Sequence, residues 1–388
     1  MPRRITPLPV SAPPTSEQIA ALAAVLHAPS DCLLPVPDDA EGERVTAAAR
    51  PREPLPEYAR DAVLAVATTG STGAPKLVLH SRRTLLASIK SMHARIGGPG
   101  QWLLCLGIHH IAGIQVALRS VVARSTPVVC PAGGAGFADD FTAAAQRLSG
   151  ERRYVSLVPA QLQRLLDADS AHPTLRRFDA ILLGGAAADP GLLARAQEAG
   201  AKVVTTYGSS ETGGGCVYDG APLDGVAIDI TGDGVVRLAG PMVALGYRDR
   251  VDPDPFTARP DGVRSFTTSD LGEVDDGRLR VTGRADDVIN TGGKKVSPLR
   301  VEHALRALPA IADAIVIGVP DQQWGQRIVA LVRTSGGIGV ELADLRQALG
   351  DDLATHELPR EIQVVADLPY RGIGKPDRAA ALRLAGGT

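Results

Sequence analysis

The stretch "ATTGSTGAPKLVLH", residues 67–80, decides how the rest of the chain is read. Thr68, Thr69, Ser71 and Thr72 alternate with Gly70 and Gly73, and Lys76 closes the run behind the apolar segment "AVLAVA". Hydroxyls and bare backbone amides wrap phosphate oxygens, and glycine lets the backbone come close to them. A P-loop needs G-x-x-x-x-G-K-[ST] between a strand and a helix. Here Gly70 and Gly73 are too close together, Pro75 precedes Lys76, and Leu77 stands where a Ser or Thr would hold magnesium. "KLVLH" reads as a second extended run, and the next helix starts only after Ser81, an N-cap residue. The loop therefore joins two strands and has no helix dipole behind it. For an isolated G-S-T-G, a plain hairpin turn is the competing reading.

Composition narrows the classes. The chain has 388 residues, 44% hydrophobic and 22% charged, enough for two or three domains with a sizeable core. A formal net charge of −2 leaves no basic footprint for nucleic acid or an acidic membrane. No apolar run is long enough to span a bilayer. The start "MPRRITPLPVSAPP" sets prolines behind its arginines, so no cleaved leader is expected. Cys32, Cys105, Cys130 and Cys216 are scattered, which points to buried thiols in a reducing, cytoplasmic setting and neither to zinc nor to disulfides.

Along the chain, residues 1–60 are rich in Pro, Ala and charge, with one helix expected at "SEQIAALAAVLHA" starting at Ser16–Glu17. From residue 61 to about 240, short apolar runs ("AVLAVA", "QWLLCLG", "TPVVC", "YVSLVP", "AILLGG", "KVVTTYG") read as buried strands. Helical stretches such as "ADDFTAAAQRL", "PAQLQRLLDA" and "PGLLARAQEA" separate them. That alternation predicts an α/β fold with a largely parallel sheet covered on both faces. Residues 221–282 carry Asp-Gly turns and predict antiparallel hairpins. A smaller α/β unit follows, with a helix start at Ser297–Pro298, strands "AIVIGV", "RIVALVR" and "EIQVVA", and a helix near 341–353.

The loop string resembles the phosphate loop of the adenylate-forming superfamily, which includes acyl-CoA synthetases, luciferases and peptide-synthetase adenylation domains. Six further strings resemble that family's motifs, in its order. "ILLGGAAAD" (181–189) is similar to the loop that borders adenine, with Gly184 and Gly185. "TTYGSSETGG" (205–214) resembles the Tyr-Gly-x-Thr-Glu signature. The resemblance sets Tyr207 against adenine, Gly208 beside the acyl substrate, Ser210 at the α phosphate and Glu211 on Mg²⁺. "AGPMVALGY" (239–247) matches a structural Gly-Pro and Gly-Tyr pair. "FTTSDLGEV" (266–274) resembles the motif whose Asp, here Asp270, binds both ribose hydroxyls, with Ser269 replacing the family's Gly. In "GRADDVINTGGKKVSPLRVEHAL" (283–305), Arg284 would contact ribose or phosphate, Asp286 falls at the hinge, and Gly292 and Gly293 would line the tunnel for the thiol arm. "LPYRGIGKPDR" (368–378) resembles the terminal Gly-Lys motif and sets Lys375 in a loop before a short helix. The resemblance covers residues 62–388. It implies a large domain, 1–283, of doubly covered sheets plus a β-rich section, and a small mobile domain, 284–388.

What the resemblance implies chemically is a two-step ligation. A carboxylic acid attacks ATP to give acyl-AMP and pyrophosphate, with Lys375 and Mg²⁺ stabilising charge on the α phosphate, and a thiol then captures the acyl group. The small domain rotates about Asp286 between the steps. Only 69 residues precede Gly70. That short form, with "LGIHHIAGIQVALRS" (106–120), resembles the o-succinylbenzoate–CoA ligases of menaquinone biosynthesis found in actinobacteria. By that resemblance His110 lies near the acyl carboxylate and Arg119 pairs with the second carboxylate of a diacid. ATP, Mg²⁺ and coenzyme A are the expected co-substrates and ion, a homo-oligomer is a family expectation, and no nucleic-acid partner or membrane insertion is expected. Another aryl- or acyl-CoA synthetase, or an adenylation enzyme loading a carrier protein, stays open as an alternative. Retention of Lys375, Glu211 and Asp270 argues against a non-catalytic nucleotide binder.

Overall fold

The strands that flank the phosphate-type loop are Ala62–Thr69 and Pro75–Ser81, paired antiparallel from Ala62↔Ser81 to Thr69↔Pro75. The computed structural model describes residues 3–27, 30–69, 75–337, 339–371 and 375–386. The tip of the loop, with Gly70, Ser71, Thr72 and Gly73, lies outside the described residues. The helix Arg82–Arg95 follows at once, with Ser81 capping it by accepting from the Thr84 amide at 3.2 Å. Strand–loop–strand, and not strand–loop–helix, is thus the local architecture.

This hairpin belongs to a sheet ordered Ile5–Val10, Cys32–Pro37, Ala62–Thr69, Pro75–Ser81, Gly246–Tyr247. Its first two strands, and the helix Ala40–Ala49, were not expected from residues 1–60. Prolines in "ITPLPV" and "CLLPVP" argue against strands because proline cannot donate to a ladder. The geometry avoids the conflict. Ile5–Val10 is an edge strand, and Cys32–Pro37 meets its inner neighbour only at Leu33↔Leu64, so Pro35 and Pro37 fall beyond that pairing. The first helix, Ser16–Ala23, is capped by Thr15 and Gln18 reciprocally, one residue before the expected start.

A second sheet runs Val128–Val129, Gln101–Leu104, Arg153–Leu157, Ala180–Leu183 and Val203–Ser209 in parallel. Gly214–Tyr218 and Ala221–Pro222 extend it antiparallel. Both of its faces are dry, which is why its strands read as unbroken apolar runs. Trp102, Leu104, Ala180 and Leu182 pack on one side, and Leu103, Cys105, Ile181 and Leu183 on the other. Helices Arg82–Arg95 and Ile111–Val122 fill the layer between the two sheets through Leu85, Ile89, Met92, Ile114 and Leu118. Phe137–Gln146, Pro159–Leu166 and Pro190–Glu198 cover the far face through Phe141, Leu162 and Ala196. Residues 221–284 form the expected hairpins, Ala227–Ile230 with Val235–Ala239 and Arg264–Asp275 with Arg278–Arg284. The second turns at Asp276 and Gly277, both at positive φ (46° and 70°), as a two-residue type I′ turn requires.

Residues 289–385 build two apolar clusters drawn from no other part of the chain, on the two faces of a sheet ordered Lys294–Val296, Ile289–Thr291, Gly325–Thr334, Ile311–Asp321, with Glu361–Val364 beside Gly325–Thr334. Ser297 sits at the N-cap of Pro298–Arg306, but its hydroxyl donates to the Thr282 carbonyl at 2.6 Å instead of capping the helix. Inside this unit the Glu302 carboxylate, 1% exposed, accepts from Arg378 Nη1 at 2.6 Å and from the Val316 amide at 2.9 Å. Arg378 also donates from Nε to Asp287 at 2.8 Å.

A buried side chain on the strand Pro75–Ser81 joins the first sheet to the end of the second. His80 on Pro75–Ser81 is 0% exposed, with Nε2 2.7 Å from the Ser210 carbonyl and Nδ1 3.1 Å from Thr84 Oγ1. Burial lowers its pKa to about 4, so the ring is neutral and its Nε2–H donates to the carbonyl.

Two outcomes follow from these contacts. Arg378→Met strands a buried carboxylate and should cost about 3 kcal/mol in urea unfolding; a change below about 1 kcal/mol contradicts the pairing. For His80, the unfolded ring takes up its proton near pH 6.5 and the folded one only near 4. Its stabilisation is therefore complete above pH 6.5 and is lost as pH falls to about 4, by roughly 3 kcal/mol. His80→Gln keeps an N–H for Ser210 and should flatten melting temperature against pH in that window; an unchanged slope rules His80 out as the cause.

Candidate active site

The strand Val203–Ser209 ends in Tyr207, Gly208 and Ser209, and the chain turns through a short 3₁₀ segment, Ser210–Thr212. Thr212 Oγ1 accepts from the Ser209 amide at 2.9 Å and donates to the Gly214 carbonyl at 2.8 Å, which closes the turn. Gly208 is required by close approach, since a Cβ there would lie 2.3 Å from the Gly214 oxygen. Gly184 is required in the same way, with a Cβ 2.4 Å from Thr206 Oγ1, and Gly185 follows at φ +85°. This turn lies at the carboxyl end of a parallel strand, where sheets of this type bind ligands.

Glu211 is 8% exposed, and its Oε1 accepts from the Tyr247 hydroxyl at 2.8 Å. Burial and the adjacent carboxylate push the Tyr247 phenol up, so it stays a donor. Lys76 Nζ stands 5.4 Å from the centre of the Tyr247 ring. Lys76, Tyr247 and Glu211 thus form a column from the phosphate-type hairpin to the turn. Thr68 Oγ1 donates to the Lys76 carbonyl at 3.4 Å. Ser71 and Thr72 lie outside the described residues, as do the side chains of Thr69 and Lys375. Lys375 was expected in a loop. Its backbone instead pairs with Arg371, in the two-residue strand Lys375–Pro376 ahead of the helix Arg378–Leu384.

Asp270 and Arg284 are cross-strand partners. Asp270 Oδ2 accepts from the Tyr207 hydroxyl at 2.7 Å, Oδ1 is 3.3 Å from Arg284 Nη1, and Arg284 Nη2 reaches Asp286 at 2.8 Å. Three residues expected at a nucleotide from separate motifs, Tyr207, Asp270 and Arg284, thus form one hydrogen-bonded chain that ends on Asp286, the residue expected at the hinge. Gly292 and Gly293 turn at φ +55° and +74°. The Gly292 amide donates to the Trp324 carbonyl at 2.9 Å, and Arg360 Cζ stacks 3.6 Å over the Trp324 ring. Trp324 and Arg360 carried no motif in the sequence.

His110 is the N-cap of the helix Ile111–Val122, its ring 4.1 Å from that of His109. Ile111, Gln115 and Arg119 recur at four-residue spacing on one face of this helix, spanning about 12 Å. The face runs beside Gly213, Gly214, Gly215 and on to Tyr218, a strand length of about 13 Å. A Cβ on Gly214 would sit 3.6 Å from Gln115 Cγ and 3.9 Å from Ile111 Cγ1, and Gln115 Nε2 donates to the Gly213 carbonyl at 2.6 Å. At the far end Arg119 is 4% exposed, its Cζ 5.1 Å over the Trp102 ring, and no ion pair to an acid is formed by it among the described residues. Arg119 therefore does not snorkel to solvent.

A model described as AMP-binding enzyme matches residues 9–247, and one described as AMP-binding enzyme C-terminal domain matches residues 300–375. A probable 2-succinylbenzoate–CoA ligase of Mycobacterium tuberculosis is 43% identical over 373 residues, 95% of each chain. A 2-succinylbenzoate–CoA ligase of Enterococcus faecalis is 29% identical over 79% of this chain and 66% of its own. Among solved structures, the o-succinylbenzoate CoA synthetase of Bacillus subtilis, in complex with its acyl-adenylate intermediate, superposes with a TM-score of 0.73 at 25% identity over 97% of this chain and 78% of that one. An amide bond synthetase from Marinactinospora thermotolerans shares the fold at a TM-score of 0.84 and 23% identity, over 99% of this chain and 90% of that one. On the extent of these matches, the chain belongs to the AMP-binding enzyme family.

Proposed function

We propose that this chain is an ATP-dependent acid–CoA ligase that works through an acyl-AMP intermediate, with o-succinylbenzoate as its acid and o-succinylbenzoyl-CoA, a menaquinone precursor, as its product. The observation that carries the substrate choice is Arg119: a guanidinium buried at the end of a glycine-walled helix face, with no ion pair to an acid among the described residues. A buried cation left unpaired is costly, and a planar carboxylate is its natural complement. A diacid supplies one carboxylate for activation near His110 and another for Arg119, whereas a fatty acid supplies only the first. The names of the 2-succinylbenzoate–CoA ligases similar to this chain support the same reading.

The nucleotide half follows from the Tyr207–Asp270–Arg284 chain and the Lys76–Tyr247–Glu211 column. Asp270 accepts the two ribose hydroxyls, Tyr207 and the Gly184–Gly185 loop border the base, and Ser210 meets the α phosphate. Thr68, Thr69, Ser71, Thr72 and Lys76 hold the outer phosphates. The donor set suits Mg²⁺ arriving on the triphosphate, because such an ion takes one or two protein carboxylates and phosphate oxygens for the rest, and Glu211 is the carboxylate in place. When bound, Mg²⁺ supplies charge that neutralises the phosphates. The carboxylate then attacks the α phosphorus in line and pyrophosphate leaves, with Lys375 holding the negative charge that gathers on the α phosphate.

The thiol step uses a second arrangement. Residues 284–388 turn about Asp286, withdrawing Lys375 and bringing the Gly292–Gly293 turn to the thiol arm, whose sulfur attacks the acyl carbon and displaces AMP. Dependence on ATP and CoA places the reaction in the cytoplasm.

Incubation with ATP, Mg²⁺, CoA and a panel of carboxylic acids should give a thioester, identified by mass, with o-succinylbenzoate and not with benzoate or fatty acids; the reverse preference would falsify the substrate. Lys375→Ala should slow adenylation by at least about 100-fold yet leave thioester formation from supplied acyl-AMP near the unmodified rate. Equal loss of both steps contradicts the two-arrangement scheme.

A further inference from the structure

Buried polar atoms without a partner are rare, and each needs an explanation. Among the described residues ten such side-chain atoms occur, and five of them lie on the helices Arg82–Arg95 and Ile111–Val122 and on two strands of the second sheet: Gln115 Oε1, Arg119 Nε, Trp102 Nε1, His93 Nε2 and Tyr218 Oη. Chance does not gather them. Three of the five surround the guanidinium of a fourth, Arg119. Arg119 stands over the Trp102 ring, the Tyr218 phenol is close enough to affect its charge, and Arg119 in turn opposes protonation of His93. Tyr218 and Trp102 are 0% exposed, His93 7% and Arg119 4%.

Gln115 Oε1, at the near end of the set, is an acceptor, but around the guanidinium the groups can all donate. Arginine Nε–H and indole N–H only donate, a phenol donates, and a neutral imidazole donates from one nitrogen. Burial first, and then the neighbouring guanidinium, lower the His93 pKa to about 4, so the ring is neutral at ordinary pH. Its neutrality leaves a single positive charge, on Arg119, ringed by neutral donors. A monovalent acceptor with several lone pairs fits that pattern, and a carboxylate is one. An apolar substituent does not fit, because every donor would stay unmade at a cost of about 1–3 kcal/mol each.

We propose that Tyr218 and His93 are specificity-determining residues, which with Arg119 hold the second carboxylate of the acid and so make the enzyme select diacids over monoacids. The proposal rests on the reading of the chain as a dicarboxylate-activating ligase. Tyr218 follows the run Gly213–Gly215, and its ring lies over Gly215, where a Cβ would be 3.2 Å from Cε1. Gly214 sets bare backbone against Gln115 and Ile111, and Tyr218 closes the same strand. His93 comes from the neighbouring helix, Arg82–Arg95, so two helices and a strand converge on one group of the ligand.

The isosteric change Tyr218→Phe is the test, with kcat and KM measured for o-succinylbenzoate and for 4-oxo-4-phenylbutanoate, which lacks the ring carboxylate. The kcat/KM ratio of diacid to monoacid should fall about tenfold, through KM, as loss of one hydrogen bond to a charged group implies. The melting temperature of the free variant should stay level or rise, because an unpartnered buried hydroxyl has been removed. His93→Leu should lower the same ratio and His93→Gln should restore part of it. An unchanged ratio in Tyr218→Phe, or equal loss for both acids, overturns the proposal. If the unmodified enzyme turns over the diacid no better than the monoacid, it is the underlying reading of the substrate that fails.

Discussion

The hydrogen bond from the buried His80 ring to the Ser210 carbonyl holds the rest of the site in register. It is the side-chain link between the strand that leaves the phosphate-type loop and the turn that carries Ser210 and Glu211. Backbone bonds flank it: the Leu245 amide to the Leu79 carbonyl, Ala244 to Glu211 and Arg248 to Leu77. Gly246 and Tyr247 are thereby drawn to the edge of the first sheet, where the Tyr247 ring lies under Lys76 and its hydroxyl meets Glu211. In the proposed binding mode, phosphate groups between loop and turn would meet a spacing set in advance by a neutral, dry imidazole. Preorganised charge of this kind is worth more than charge that must move into place.

The acyl side obeys a different logic. Its glycines and unpartnered donors weaken the fold, since each buried donor without an acceptor lowers stability. They lie together on two neighbouring helices and two strands, within a core that Tyr154, Leu104 and Leu182 also build. A local deficit inside a well-packed layer marks where a ligand supplies what the chain does not. The nucleotide side shows the opposite condition, for Asp270, Tyr207 and Arg284 already satisfy one another. A ribose must compete with these internal bonds, while a carboxylate at Arg119 displaces no acidic partner among the described residues.

Legibility in the sequence followed the range of the interaction. The parallel strands were plain because both faces are buried and the runs are unbroken, as in "AILL". The Asp276–Gly277 turn was plain because only such residues accept two successive positive φ values. The strands Ile5–Val10 and Cys32–Pro37 were hidden by prolines whose penalty depends on which neighbour pairs where, a property of the sheet and not of the segment. Motif resemblance brought Tyr207, Asp270 and Arg284 to one ligand, but their mutual bonds depend on cross-strand register. His80, Tyr218 and His93 belong to no motif. Their importance lies in what they touch from distant parts of the chain, and a lone histidine or tyrosine in an apolar run carries no sign of that. Arg119 was legible by resemblance alone; its isolation from any acid was not.

Adenylation before thiol capture is the central claim, and it can be isolated by leaving the thiol out. Labelled pyrophosphate, ATP, Mg²⁺ and o-succinylbenzoate should then yield labelled ATP, because acyl-AMP forms reversibly in the site. Omission of the acid should stop the exchange. Failure of label to enter ATP under these conditions, with inorganic phosphate as the released product, would contradict the account.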